Sequence, residues 1–473
     1  MTAPAFDHDL VIVGLGAAGM AAAEFAVSLG LKVVAVERDR VGGDALWNAT
    51  MPTKALLAAA NAANTMRTAS RFGLPDLPAD TVFDLAAVWR SIATVQRSIA
   101  DGDDSAERFT AMGVEIVNGS GRVTGPNEVT VDVLDDGRRV ITAAFVLVCP
   151  GSRPAVPSIA GLDECGFLTS ETLFALDRPP ASLVIVGAGP VGVELSQALN
   201  RLGVRVTLLT DSPTILPRDE PTLVTMLQHR LVEEGVEFVG SVDVARVERD
   251  GDEVIVHGAD RTWRADEVLI ATGRVVNAEG LGLEDLGIAV GTGGVDADSR
   301  GRTSVKSIYV AGDITGRHQF GHAAASEAVR SLRDAFFPGR STPIGDVAWC
   351  TFTDPPCAHA GLTIAEAEQR FGDDVEVWRI DLAHNDRARV ERSGDGAVVV
   401  VTAKGRVIGA HVLAPNAGEV VHELALAVEK DMKLADLADL VHIHPTIATS
   451  IGQLATEAAS ERAQKLRWLV RHK

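Results

Sequence analysis

The sequence has few cysteines and fewer basic than acidic residues. Its four cysteines, Cys149, Cys165, Cys350 and Cys357, are too few and too scattered for a disulfide framework or a paired-cysteine metal site. We therefore expect a reducing, cytoplasmic setting. Lys and Arg number 44 against 64 Asp and Glu, so the net charge is −20 and the field of the protein repels nucleic acid.

The sequence also lacks the long hydrophobic runs of membrane proteins. Apolar stretches such as 398–401 are far shorter than the roughly 20 residues that cross a bilayer. Residues 1–14 contain neither a basic region nor a cleavage-type site, so no export signal is expected. With 46% hydrophobic and 23% charged residues, the composition is that of a globular protein, and 473 residues predict about three domains.

A strand, a glycine-rich turn and a helix occur in that order near the N-terminus and again about 170 residues later. The glycines of the two turns are Gly14, Gly16 and Gly19 in the first, and Gly187, Gly189 and Gly192 in the second. This context is typical of dinucleotide binding, because pyrophosphate rests on exposed backbone and on the free N–H groups of the helix. Glu37, which ends the next strand, is placed to accept hydrogen bonds from a ribose. The alternative is that the glycines only form tight turns.

The two repeats predict an α/β fold with two Rossmann-like units. Apolar strands within 145–157 and 267–277 also end in glycine turns and look like crossings between the units, so the second unit is predicted to interrupt the first. From about residue 343, valine-rich strands alternate with helices, which indicates a separate α+β domain. The predicted boundaries are 1–151 and 277–343 for the first unit, 152–276 for the second and 344–473 for the C-terminal domain.

Five separated segments point to one protein family. They are the first glycine turn with Glu37, GGDALWNATMPTKALL, the second glycine turn, AGDITG, and FTDPPCAHAGLTIAEAE leading to HIHPT. Together they resemble the flavoprotein disulfide reductases, the group of dihydrolipoamide dehydrogenase, glutathione reductase and mercuric reductase, over nearly the whole chain. The resemblance implies FAD in the first unit, NAD(P)H in the second, and a homodimer formed through the C-terminal domain.

The resemblance also implies roles for individual residues. Lys54 matches the lysine beside the flavin N5 atom and Glu194 its carboxylate partner, and both are predicted to be catalytic and cofactor-binding. Asp313 matches the ligand of the flavin ribityl chain, and Gly43 and Gly273 lie in matching cofactor-binding turns. Without the resemblance, Asp313 would be interpreted as a turn or helix cap, and the other two charges as solvated helix residues.

Three positions depart from the family pattern. Where the family has two redox cysteines separated by four residues, this chain has Ala45 and Thr50, so thiol–disulfide exchange through this site is excluded. His444 matches the acid–base histidine that reaches the flavin site of the partner subunit, but Thr449 replaces its paired glutamate. A hydroxyl carries no charge to favour the imidazolium. His444 is therefore expected to be a weaker base, or a histidine merely packed at the dimer interface.

The other cysteines and histidines do not indicate a second redox or metal centre. Cys350 and Cys357 lie in a segment that matches an interface-domain strand and turn, so we expect inert buried thiols. A relocated dithiol, or a metal bound with His359, is the weaker interpretation. The pair His442 and His444 lacks a third ligand, so no metal site is predicted.

The choice between NADH and NADPH depends on the end of the strand 204–209. Thr210 occupies the usual acidic position, Asp211 follows it, and the next arginine is Arg218. A carboxylate accepts from the ribose 2′-OH and repels a 2′-phosphate. NADH is therefore favoured, although Asp211 is one step out of register.

The last thirteen residues, ERAQKLRWLVRHK, are basic in an otherwise acidic chain. Leu466, Leu469 and Val470 recur at helical spacing with Trp468 nearby, so peripheral contact with an anionic membrane is one interpretation. A solvated terminal helix or a subunit contact is the more common role of such a tail.

These observations predict an FAD-dependent NAD(P)H dehydrogenase whose acceptor is not a disulfide, such as a quinone or a similar small-molecule oxidant. No disulfide reductase activity is expected. Two alternatives stay open. One is a flavin oxidase or specialised biosynthetic flavoenzyme acting on an organic substrate, and the other is a flavin-binding sensor or scaffold without turnover.

Overall fold

The computed structural model describes residues 6–78, 81–134, 137–337, 339, 342–343 and 345–465. Three main sheets organise these residues: a six-stranded sheet, a parallel four-stranded sheet and an antiparallel five-stranded sheet. None of the described helices combines the length and the hydrophobicity needed to span a bilayer.

The first part of the chain builds the six-stranded sheet and the helices that flank it. Its elements are β1 (His8–Val13), α1 (Ala17–Ser28), β2 (Val33–Glu37), α2 (Gly43–Trp47), α3 (Thr50–Arg67), α4 (Leu85–Ala100), α5 (Ala106–Ala111), β3 (Glu115–Gly125), β4 (Glu128–Val133) and β5 (Gly137–Val148).

β1 lies inside this sheet because its residues are apolar on both faces. It pairs in parallel with β2 and β5, and Val11 lies opposite Val34 and Val146. β3 extends the parallel sheet beyond β2, and β4 joins β3 to β5 in an antiparallel meander. Ile12 packs in one core cluster with Ala22 of α1, whereas Val11 packs in another with the strands of the meander. A strand covered on both sides is a continuous apolar run, as the sequence shows.

The second unit follows with its own parallel sheet. Its elements are β6 (Ser152–Pro154), α6 (Leu162–Cys165), α7 (Ser170–Leu173), β7 (Ser182–Val186), α8 (Pro190–Arg201), β8 (Arg205–Leu209), α9 (Pro221–Glu233), β9 (Glu237–Val239), β10 (Arg246–Asp250), β11 (Glu253–His257), β12 (Thr262–Ala265), β13 (Glu267–Ile270) and β14 (Arg274–Val276).

The order of strands in the second sheet is β13-β7-β8-β9, and all pairings are parallel. β10, β11 and β12 form a small antiparallel sheet beside it. The strand that enters this unit, β6, and the strand that leaves it, β14, lie side by side as an antiparallel pair.

The chain then returns to the first unit through β15 (Val290–Gly291), β16 (Gly294–Val295), β17 (Ile308–Val310) and α10 (Gly321–Phe336). β17 pairs in parallel with β5, so a strand that follows the second unit completes the sheet of the first. The predicted fold class, two Rossmann-like units with the second inserted in the first, is confirmed. The boundary residues stay a prediction.

The C-terminal part forms the antiparallel sheet. Its elements are β18 (Trp349–Thr351), β19 (Cys357–Gly361), α11 (Ile364–Phe371), β20 (Val375–Asp381), α12 (Asp386–Val390), β21 (Ala397–Ala403), β22 (Arg406–Leu413), α13 (Ala417–Glu429) and α14 (Thr449–Lys465). The order of strands is β18-β19-β22-β21-β20.

The valine run 398–401 is the core of β21, and each of its residues is at most 1% exposed. One face of the sheet packs against α13 and α14, with Val398 and Val400 in that cluster. The other face carries Val399 and Leu413 into the core of the second unit, where they join Leu227 of α9. The C-terminal domain is thereby fixed against the second unit, close to α8.

Candidate active site

The first glycine turn joins β1 to α1 and presents bare backbone. Gly14 has a φ of +100°, which side chains rarely adopt, and a Cβ atom on Gly19 would collide with the Gly14 carbonyl oxygen. A Cβ atom on Gly16 would meet only the Cα atom of Gly43, at 3.8 Å. This open backbone at the N-terminus of α1 fits the pyrophosphate of FAD, which needs close approach and free N–H groups.

Glu37 ends β2 and is buried beside this turn. Its carboxylate accepts a hydrogen bond from the backbone N–H of Leu15 at 2.7 Å and another from that of Asp39 at 2.9 Å. The residue is 8% exposed. Since each carboxylate oxygen can accept more than one hydrogen bond, Glu37 retains the capacity to bind a ribose hydroxyl.

The second glycine turn, between β7 and α8, has the same construction. Gly187 has a φ of +112°, and a Cβ atom on Gly192 would collide with the Gly187 carbonyl oxygen. Nothing within 4 Å would meet a Cβ atom on Gly189. The second unit therefore also offers open backbone at a helix N-terminus, which fits the pyrophosphate of a nicotinamide nucleotide.

Thr210 and Asp211, at the end of β8, differ in their exposure to solvent. Thr210 is 6% exposed, and its hydroxyl accepts a hydrogen bond from the backbone N–H of Ser212 at 3.2 Å. Thr210 thus closes the turn, whereas Asp211 is exposed. The guanidinium of Arg218 lies over the ring of Trp349, 5.4 Å from its centroid, and so is directed toward the C-terminal domain.

Lys54 and Glu194 form an ion pair between the first and second units. The Lys54 Nζ atom donates to Glu194 Oε2 at 2.7 Å, and the side chains are 32% and 3% exposed. The other carboxylate oxygen accepts from the backbone N–H of Phe352 at 2.8 Å. Nζ also lies 4.6 Å from the centroid of the Phe352 ring. The buried carboxylate is therefore paired on both oxygens, as a buried charge requires.

The two positions at which the resembled family has cysteines lie shortly before Lys54 in the chain. Ala45 is in α2, Thr50 is the first residue of α3, and both are partly exposed. The amide of Gln96 in α4 donates to the carbonyl oxygens of Leu46 at 3.1 Å and Trp47 at 2.7 Å. Hydrogen bonds from α4 therefore hold α2 in place without a covalent link.

Asp313 belongs to a polar cluster that sequence reasoning missed. Arg274 donates to Asp44 Oδ2 at 2.7 Å and to the Ser152 hydroxyl at 2.6 Å, and that hydroxyl donates to Asp313. Burial raises the pKa of Asp313. Asp44 Oδ1 is buried without a hydrogen-bond partner among the described residues. The available signal was that Asp44, Ser152 and Arg274 each directly follow a glycine of a turn.

His444 lies on the surface of the C-terminal domain. Its side chain is 65% exposed, and its Nε2 atom is 3.7 Å from Asp386 Oδ2. The hydroxyl of Thr449 donates to the carbonyl of Thr446 at 2.6 Å and accepts from Asn385 at 3.1 Å. Thr449 is therefore bonded to the turn before α14, and the imidazole of His444 is exposed.

His442 differs from His444 in exposure and in its acidic neighbour. Its ring is 9% exposed, and its Nε2 atom lies 3.1 Å from Glu423 Oε1. The two histidines therefore do not share a ligand site. Within the described ranges, no three His, Cys, Asp or Glu side chains are grouped so that they could hold a metal ion.

The cysteines occupy unreactive environments. Burial raises the pKa of all four thiols, those of Cys149, Cys165, Cys350 and Cys357, and the pKa of Cys350 rises to about 12. In the register of β18 and β19, Thr351 lies opposite Cys357, so Cys350 and Cys357 lie on opposite faces of the sheet. This agrees with the expectation of inert thiols.

Three large apolar side chains shortly before His444 in the chain are exposed. Leu440 is 54% exposed, Val441 91% and Ile443 80%. An apolar patch of this kind favours a protein–protein contact. The basic C-terminal tail, with Leu466, Trp468, Leu469 and Val470, lies outside the described residues.

Comparison with known proteins agrees with this geometry. Residues 8–328 match the family model "Pyridine nucleotide-disulphide oxidoreductase", and residues 347–455 match the dimerisation domain of the same family. Members of this family use FAD and NAD(P)H, and the dimerisation domain supports a homodimer.

Individual relatives cover nearly the whole chain. Mercuric reductase from Streptomyces lividans is 33% identical, over 97% of this chain and 98% of its own. Dihydrolipoyl dehydrogenase from Geobacillus stearothermophilus is 32% identical, over 96% of each chain. The crystal structure of LpdA from Mycobacterium tuberculosis superposes with a TM-score of 0.86 at 28% identity, over 95% of this chain and 99% of that one. The chain belongs to the pyridine nucleotide-disulphide oxidoreductases, the family of the flavoprotein disulfide reductases.

Proposed function

We propose that this oxidoreductase is an FAD-dependent NAD(P)H dehydrogenase that passes electrons to a non-disulfide acceptor, with a quinone as the leading candidate. The observation that carries the proposal is the Lys54–Glu194 ion pair at 2.7 Å in a chain that has Ala45 and Thr50 in place of thiols. The residues suited to flavin reduction are retained, whereas the thiol relay to a disulfide is missing.

The role of Lys54 follows from its position. FAD, when bound, accepts a hydride from reduced nicotinamide and passes two electrons to an acceptor. Glu194 is 3% exposed and Lys54 is 32% exposed, so the carboxylate holds the ammonium from the buried side. A cation fixed in this way stabilises negative charge as it develops, without reorganisation at the moment of reaction.

The acceptor reaction needs protons as well as electrons. NADH, one proton and a quinone give NAD⁺ and a hydroquinone, in which both quinone oxygens carry a proton. His444 of the partner subunit, or water, supplies a proton to the reduced acceptor. The exposed imidazole, next in sequence to the exposed apolar residues Leu440, Val441 and Ile443, supports this role, because exposed apolar side chains favour a subunit contact that would include His444.

NADH is the proposed electron donor. Asp211 is exposed at the end of β8, where its carboxylate suits a ribose hydroxyl and repels a 2′-phosphate. Arg218, the nearest following arginine in sequence, stacks on Trp349 instead. The test is to exchange Asp211 for alanine, which is expected to raise the preference for NADPH over NADH about 10-fold in kcat/KM. Asp260→Ala, at an exposed site in the hairpin between β11 and β12, is the control.

The experiment that tests the function is an anaerobic one. The purified holoenzyme is mixed with NADH, and separately with NADPH, while the visible flavin absorbance is followed. A quinone, a disulfide or air is then added. Rapid bleaching by NADH, followed by fast recovery with the quinone and none with the disulfide, is the expected result.

Other outcomes contradict the proposal in different ways. Recovery with air that releases hydrogen peroxide as fast as with the quinone favours an oxidase. No bleaching by either nucleotide removes the dehydrogenase and leaves a specialised flavoenzyme or a scaffold. Recovery with a disulfide overturns the argument from Ala45 and Thr50.

A further inference from the structure

A polar stripe runs along the buried side of α8. Its members are Glu194, Gln197 and Arg201. Gln197 follows Glu194 by three residues and Arg201 follows it by seven, so the three side chains share one face of the helix. Their exposures are 3%, 0% and 4%. We call this set the α8 stripe. Charged and amide side chains are seldom so deeply buried, because each needs hydrogen-bond or ionic partners to offset the free-energy cost of its desolvation.

All three residues of the α8 stripe have partners in the C-terminal domain. Gln197 Nε2 donates to the Asp354 carbonyl oxygen at 2.9 Å, and Gln197 Oε1 accepts from the Asp354 backbone N–H at 2.8 Å. One amide therefore fixes both backbone groups of a single residue. Arg201 Nη1 donates to the carboxylate of the same Asp354 at 2.8 Å. These bonds fix the position of Asp354 along α8.

Arg201 also forms hydrogen bonds with the first unit. Its Nη1 atom lies 2.6 Å from Asn61 Oδ1, and its backbone carbonyl accepts from Arg67, both of α3. Its other nitrogens bind the two carboxylate oxygens of Glu234 at 2.7 and 2.6 Å. Arg201 is thus the point at which helix α3, helix α8 and the segment around Asp354 meet.

The same elements carry the reactive pair. Lys54 is on α3, Glu194 is on α8, and Phe352, two residues before Asp354, bonds Glu194 and lies beneath the ammonium. A shift of the segment 352–354 along α8 would therefore move the N–H donor of Glu194 and the ring beneath Lys54 together. A buried ionic network of this kind is often no more stabilising than apolar packing of the same volume. Its best-attested use is to select one relative position of the segments that it joins.

We propose that Gln197 and Arg201 are positioning residues that hold Lys54 and Glu194 in the geometry needed for flavin reduction. They do so by fixing the segment 352–354 against α8. This inference rests on the proposed function, because it concerns the step in which reduced nicotinamide delivers its hydride. It does not depend on which acceptor takes the electrons.

The test uses the holoenzyme and two independent variants, Gln197→Leu and Arg201→Met, each of which removes the polar end of the side chain and keeps an apolar stem. Anaerobic stopped-flow mixing with increasing NADH separates the limiting rate of flavin reduction from the Kd of NADH. We expect the limiting rate to fall at least about 10-fold in both variants, because sub-ångström misplacement of reacting groups is costly. The Kd is expected to change by no more than about 2-fold, since the nucleotide turn is untouched.

A second readout does not involve activity. Hydrogen exchange of the Phe352 and Asp354 amides, which bond Glu194 and Gln197, is expected to be at least about 10-fold faster in both variants. Arg201→Lys keeps the charge but cannot reach all partners, so an intermediate rate of reduction is expected.

Asn200→Ala is the matched control. Asn200 precedes Arg201 and donates to the Glu234 carbonyl at 2.8 Å, so it loses a bond to the same turn without touching segment 352–354. Its limiting rate is expected to equal that of the wild type. Wild-type rates in both stripe variants, or an equal loss in Asn200→Ala, overturn the inference. If NADH fails to reduce the wild type, the proposed function itself has failed, which is a different result.

Discussion

Lys54 is held by two groups at once, the carboxylate of Glu194 at 2.7 Å and the ring of Phe352 at 4.6 Å. Its long side chain is therefore fixed although it is partly exposed. We predict that Lys54→Met slows flavin reduction by NADH about 10- to 100-fold, because a cation no longer stabilises the developing negative charge. Stopped-flow absorbance measures the rate.

Lys404→Met is the control for this change. Lys404 is 77% exposed and pairs with Asp374 at the surface, so its loss is expected to leave the rate unchanged. An unchanged rate in Lys54→Met itself would remove Lys54 from the mechanism.

Two buried histidines give the C-terminal sheet a sensitivity to acid. The Nδ1 atoms of His359 and His411 are 3.1 Å apart, and the residues are 2% and 1% exposed. Burial lowers the pKa of His359 to about 4 and that of His411 to about 3. Unfolding restores a pKa of about 6.5. The stability that depends on the neutral rings is therefore complete above that pH and is lost as the pH falls.

We predict that His411→Asn weakens this dependence. From pH 7 to pH 5, protonation of His411 on unfolding lowers the unfolding free energy of the wild type by about 2 kcal/mol. The variant lacks this contribution. Its thermal midpoint is therefore expected to fall less steeply with acid. Burial raises the pKa of nearby Asp219 to about 6, which acts in the opposite direction, but this contribution is common to both proteins. Equal slopes would contradict the prediction, and the exposed His422→Asn is the control.

At the scale of elements, α2 and the start of α3 occupy the place of the missing relay. We predict that the double variant Ala45→Cys, Thr50→Cys takes up two more electrons per subunit than the wild type in an anaerobic titration, because a disulfide is a two-electron couple. It is also expected to gain measurable turnover with a small disulfide. The two single variants should show neither property. A double variant that forms the disulfide but takes up no extra electrons would show that this segment does not face the flavin.

Elements with strong local signals were predictable from the sequence. The glycine turns are followed by helices as expected, and the valine run 398–401 is a buried strand. Contacts between distant segments were not predictable. The bond from Arg274 to Asp44 spans 230 residues, and although each residue follows a glycine of a turn, that position does not indicate which residue it contacts. The inward position of Thr210 likewise depends on a turn hydrogen bond to Ser212 that its side-chain type does not specify.

At the scale of the whole molecule, the proposed proton donor comes from the second subunit. We predict that Ile443→Glu, a charge on a side chain that is 80% exposed, weakens dimerisation at least about 10-fold. Analytical ultracentrifugation measures the change. Turnover with a quinone is expected to fall with it, whereas flavin reduction by NADH should persist, because Lys54 and Glu194 lie within one chain. Val82→Glu, at a side chain that is 90% exposed in the first unit, is the control.

The raised pKa values of the four thiols have a consequence for the conditions in which the enzyme works. Burial raises the pKa of every thiol, so thiolate is scarce at neutral pH. Alkylating agents and peroxides react with thiolates rather than with neutral thiols. We predict that iodoacetamide leaves the turnover of this enzyme unchanged under conditions that stop a dithiol relative, and loss of activity would contradict this. Electron transfer would then continue during oxidant stress, when a cell's thiol-dependent reductases are inhibited.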